Sequence, residues 1–112
     1  MSLDVTQLIS DIKDAASTVI EHDITEIRGF SERQLSALAL QAKLIAKAIA
    51  ENEIGEDLRD YFLDSIEDMA LNFARTLRGL LAVTIEKIWN AVVGVIWTAL
   101  EACTGISLKI AS

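Results

Sequence analysis

Proline is missing altogether from this 112-residue chain, while glycine appears five times, cysteine once and histidine once. With so little of the punctuation that divides a chain into strands and tight turns, the composition points to long helices. A single cysteine, Cys103, excludes an internal disulfide, and its apolar neighbours mark it as a small buried hydrophobe rather than a reactive thiol. A single histidine, His22, leaves Tyr61, Cys103 and the serines without a base nearby in sequence. His22 and Glu26, four residues apart on one helix face, could supply two ligands to a metal but not a closed site. The Glu-x-x-His pairs of di-iron bundles are lacking too, because the residue three before His22 is Val19. With no Gly-rich phosphate loop either, the sequence predicts a non-enzymatic protein that carries no cofactor and no metal.

Positive charge is also scarce. Ten Lys and Arg stand against seventeen Asp and Glu, giving a net charge of −7 and a sequence pI near 4.5. Bases so few and so scattered exclude direct nucleic-acid binding. The start, Met1-Ser2-Leu3-Asp4, lacks a basic region, and the first apolar pattern is broken by Asp11, Lys13 and Asp14, so no secretory signal is read. The expectation is a cytoplasmic protein, with membrane association as the alternative.

What is abundant is apolar surface. Hydrophobic residues make up 52% of the chain, above the usual ~45–50%, in a length that suits one domain with a modest core. Val5, Leu8, Ile12, Ala15 and Val19 recur at three- and four-residue steps, widened by Ile9, Ala16, Ile20, Ile24 and Ile27, and predict a helix from about Leu3 to Ile27. Gly29 interrupts it. Ser31-Glu32-Arg33-Gln34 has capping-box spacing, so a second helix starts at Ser31 and packs antiparallel on the first through Leu35, Leu38, Ala42, Ile45 and Ile49. Gly55 suits the left-handed position that ends a helix, and Glu56 and Asp57 favour the start of a third.

From Glu56 no strong stop appears before Thr104-Gly105. Phe62, Ile66, Met69, Phe73, Leu77, Leu80, Thr84, Ile88, Ala91 and Val95 follow an eleven-residue repeat, which keeps the seam on one side of a nearly straight helix. The fold class is therefore all-α: a helical hairpin plus a long C-terminal helix (about 56–103), or a four-helix up-down bundle if the chain turns near Gly79. The unbroken helix, roughly 70 Å long, is the preferred form, because a lone interior glycine costs only about 1 kcal/mol.

Two surfaces stand out as candidate sites. Gly79 to Ile106 is apolar nearly all round, and such a helix must be hidden by protein or lipid. Residues 79–112 are thus expected to form the oligomerisation or membrane-contact segment of a single unit, behind an acidic amphipathic bundle of residues 1–78. The expected interface residues are Leu80, Ile88, Trp89, Val92, Val95, Ile96, Trp97 and Leu100, burying enough area to make a homo-oligomer or to dock into a larger assembly. The rival is a small membrane-active protein, tail-inserted or pore-forming. Against it, the uncharged run Ile88–Leu100 falls short of the roughly 20 residues that cross a bilayer, and Glu101 follows at once.

The second surface is acidic. Glu53, Asp57, Asp60, Asp64 and Glu67 follow helical steps, flanked by Glu56 and Asp68 and relieved only by Arg59. The stripe reads as a solvated face or a dock for a basic partner, and more weakly as a mimic of nucleic-acid phosphates that would inhibit a basic protein. It lacks the turn of a calcium loop. At the end of the chain, Ile106, Leu108 and Ile110 alternate with Ser107 and Lys109 in a strand-like pattern suited to pairing with a sheet edge.

Overall fold

A computed structural model describes residues 3–105, and within them the chain is all-α, with no strand. Helix α1 spans Val5–Ile20, α2 Glu32–Ala50, α3 Glu56–Thr76 and α4 Ala82–Thr104, with one turn of 3₁₀ helix at Ile24–Glu26 between α1 and α2. Short connections make neighbours antiparallel. The α1–α2 and α3–α4 turns meet at one end of the bundle, where the Arg78 amide donates to the Arg28 carbonyl at 2.7 Å. This is the four-helix up-down form, and α4, at 23 residues the longest helix, touches all three others. The strand-like Ile106–Ile110 pattern lies outside the described residues.

The continuous helix over 56–103 is therefore corrected to two helices. The long axis of the molecule is 42 Å, well short of the roughly 70 Å that helix would need. Two local contacts and one distant one end α3: Thr76 Oγ1 donates to the Phe73 carbonyl, Leu77 N donates to Ala74 O, and the Arg78 amide leaves the helix for the neighbouring turn. Gly79 then takes a left-handed conformation, φ 81°. A lone glycine costs a continuous helix only about 1 kcal/mol. Folding back buries Leu77, Ile88, Val92, Ile96 and Leu100 inside the same copy, at ~1.5–3 kcal/mol for each fully buried aliphatic side chain, which decides the matter.

Two helix ends also differ from expectation. α1 stops at Ile20 rather than near Ile27: Glu21 adopts φ 55°, and the amides of Glu21 and His22 fold back onto the Thr18 and Ser17 carbonyls. Ser17 Oγ then accepts from the Ile24 amide, and the 3₁₀ turn carries Ile24 into the core, fully buried. Ile24 and Ile27 keep helical phase in the sequence without belonging to α1, because the main-chain bonds of Glu21 and His22 and the Ser17 hydroxyl that end the helix leave no mark in apolar spacing. At the end of α2 the left-handed residue is Asn52, φ 54°, while Gly55 is extended and caps the start of α3.

Ser31 caps α2 as its spacing implies, accepting from the Gln34 amide at 3.1 Å. The Gln34 side chain reaches across to α3 instead, where its Oε1 lies 3.3 Å from Thr76 Oγ1 as the weaker branch of a hydroxyl bond shared with the Phe73 carbonyl. One hydrophobic core joins all four helices, with Leu8, Ile12 and Ala16 from α1, Leu35 to Ile49 from α2, Leu63 to Ala74 from α3, and Ile88, Val92, Ile96 and Leu100 from α4. Phe30 and Phe73 close the turn end, edge to face at 5.9 Å.

Candidate functional site

The apolar set predicted on the last helix divides into two faces. Ile88, Val92, Ile96 and Leu100 recur every four residues and are fully buried against α1, α2 and α3. In this fold those four are covered by their own chain. Trp89, Val95 and Trp97 flank the seam and remain half-buried, as does Leu80 in the preceding turn.

Opposite the seam lie Asn90, Gly94, Thr98 and Ala102, all exposed and all small or uncharged. Only 22% of the most apolar 18-residue window of α4 is buried. The helix is also long and apolar enough to cross a membrane, on length and composition alone. Sequence reasoning missed the outward stripe because it scored α4 by its largest side chains, whereas what the bundle leaves outside are the smallest. On one flank Gly94, Thr98 and Ala102 border an open groove of about 610 Å³, together with Ala91, Val95 and Ala99 of the same helix and Asp11 of α1.

The acidic residues fall beside this face, on α3. Asp57, Asp60 and Asp64 are exposed and Glu67 is half-buried, while Glu53 belongs to the turn before the helix. Trp89 joins the two candidate surfaces, donating its indole Nε1–H to the main-chain carbonyl of Glu67 at 3.0 Å. Because α3 and α4 run antiparallel, Trp97, two turns farther on, lies level with the half of α3 that carries Asp57 and Asp60. Burial pushes the Glu67 carboxyl above its ordinary range, with Asp64 and then Asp68 adding like charge. Arg59 makes no ion pair with this ridge among the described residues. Its Nε is buried without a hydrogen-bond partner, and among the described residues the ion pairs are Lys13 with Glu32 at 2.8 Å and His22 with Glu26 at 3.7 Å. No carboxylate of α3 is in an ion pair among the described residues.

His22 and Glu26 are both exposed, and no three His, Cys, Asp or Glu side chains converge on a metal position among the described residues. Cys103 is half-buried on α4. A cleft of about 530 Å³ between α3 and α4, lined by Leu71, Arg75, Ala82, Ile85, Glu86 and Trp89, sets one cation and one anion at an apolar wall.

No known protein family matches the chain, and no curated protein or solved structure is significantly similar to it.

Proposed function

We propose that this protein is a non-enzymatic helical interaction module that self-assembles, or docks into a larger assembly, through the outward face of α4. The observation that carries the reading is an uncharged run from Ile88 to Leu100 on a helix whose apolar window is 22% buried. A helix on the surface of a bundle ordinarily turns charge toward water. Here the outward positions are Asn90, Gly94, Thr98 and Ala102, flanked by half-buried Trp97 and Val93. Small side chains let a second helix approach closely, and the tryptophans at the edge supply contact area.

Gly94→Lys together with Thr98→Glu tests the reading. A side chain at Gly94 meets no atom within 4 Å, and Thr98 is exposed, so both charges enter without disturbing the core. Loss of the assembled species in light scattering, with unchanged helical circular dichroism, supports the reading. A wild-type chain that stays monomeric at every concentration, alone and with cell extract, refutes it.

Lipid is the second reading, favoured by the length and apolarity of α4. It requires α4 to leave the bundle, because one side of the helix is already committed to the core. Flotation of the chain with vesicles in the absence of detergent would establish it, and under that reading the protein is membrane-associated rather than cytoplasmic.

A further inference from the structure

On the opposite side of the bundle, α2 presents a face of a different kind. Leu40 and Leu44 stand one turn apart, 50% and 54% exposed. Around them Arg33, Lys43 and Lys47 are exposed, and none is in an ion pair among the described residues. Counted over the helices, α2 carries three cations against one carboxylate, and that carboxylate, Glu32, is taken by Lys13 of α1. Helix α3 carries six carboxylates against two cations, while α1 and α4 each carry two carboxylates against one cation. The bundle has one basic helix and one strongly acidic one, each with charges that no ion pair matches among the described residues.

We infer that the α2 face of one copy docks on the α3–α4 face of the next, with Leu40 and Leu44 against the uncharged stripe of α4 and Lys43 and Lys47 against Asp60 and Asp64. Both charged pairs are four residues apart, about 6 Å of helix rise, so the two ladders match turn for turn. Pairing α2 with α2 would set cation against cation, and pairing α3 with α3 carboxylate against carboxylate, so a like-with-like contact is disfavoured on both sides. The contact is head-to-tail: each copy keeps one face free after its first partner binds, and assembly continues into a ring or an open filament. The inference rests on the reading of α4 as a docking face and adds which surface of a second copy meets it.

The test uses the full chain and two variants, Lys43→Glu with Lys47→Glu, and Asp60→Lys with Asp64→Lys. All four positions are exposed, and circular dichroism checks that each variant is folded. The wild type is expected to grow beyond a dimer with rising concentration, and to dissociate in roughly 1 M salt, where the screening length falls to about 3 Å. Each variant alone is expected to associate at least tenfold more weakly. The equimolar mixture regains mass, because each variant carries the face that the other lacks. Assembly that survives both variants but is lost in Gly94→Lys with Thr98→Glu overturns this pairing and leaves the α4 reading standing. A wild type that is monomeric at every concentration overturns this pairing. A mixture that stays dissociated overturns it as well.

Discussion

Trp89 and Glu67 are joined by a hydrogen bond of 3.0 Å from the indole Nε1–H to a main-chain carbonyl in the middle of α3. A helical carbonyl there already serves its own ladder, so this bond uses the second lone pair and pins α4 to the acidic helix at a fixed height. It also explains why Trp89 is half-buried rather than buried: the polar edge of the ring is turned toward α3 and the remainder covers apolar surface. Trp89→Phe should keep most of the packing and lose the bond, lowering stability by about 0.5–1.5 kcal/mol. Urea unfolding followed by far-ultraviolet circular dichroism measures it, and an unchanged midpoint would show that the bond contributes nothing net.

The turn end of the bundle depends on two glycines for different reasons. Gly29 has φ 87°, and a Cβ there would fall 1.9 Å from the Thr76 carbonyl oxygen, a backbone atom that cannot move aside. Gly79 has φ 81° but open space around it. Gly79→Ala should therefore cost only the left-handed conformation, about 1–2 kcal/mol, and α3 and α4 should stay two helices. Gly29→Ala should cost more, since the two turns must separate and the Arg78 to Arg28 bond is lost with them. Thermal unfolding ranks the pair, and equal melting points would contradict the clash.

Within α4, neighbouring positions should respond in opposite ways. Ile96 is fully buried whereas Thr98 is exposed. Ile96→Ala removes packing from the seam and should destabilise by about 2–5 kcal/mol. Thr98→Glu should leave the unfolding midpoint within about 0.5 kcal/mol while weakening association. A paired measurement of denaturant midpoint and light-scattering mass separates the two effects. If Ile96→Ala were the harmless one, the seam would be facing outward.

The seam itself was legible, because Ile88, Val92, Ile96 and Leu100 are large, apolar and regularly spaced. Its partner was not. Apolar spacing shows that a residue is covered and is silent on which chain covers it, so residues that pack on α1–α3 read equally well as an interface. The break at Gly79 was hidden for a related reason: what ends α3 is Thr76 bonding back to Phe73 together with the docking of Arg78 on Arg28, fifty positions away in sequence. The Ser31 cap and the acidic steps of α3 were readable because both depend on neighbours within one turn. The outward stripe of α4 had a signal of its own, the four-residue spacing of Asn90, Gly94, Thr98 and Ala102, which a search for bulky side chains passes over.

The acidic ridge gives stability a pH dependence of definite sign. Glu67 is held above its ordinary value of 4.5, first by burial and then by Asp64 and Asp68. Between that value and the raised one, the folded chain binds more protons than the unfolded chain, so stability falls as pH rises through this window. Asp23 acts in the opposite direction: hydrogen bonds from the Thr25 hydroxyl and amide hold its carboxyl below 3.8. Its contribution is present above that pH and is lost as pH drops through the lowered value. Glu67→Gln should remove the first limb and leave the second, raising stability near pH 7 by about 0.2–0.5 kcal/mol, the size of a relieved like-charge helix pair. Melting points of both proteins from about pH 3 to about pH 8 trace the two limbs. A Glu67→Gln protein whose profile above pH 4.5 still parallels the wild type would place the source of that slope elsewhere on the ridge.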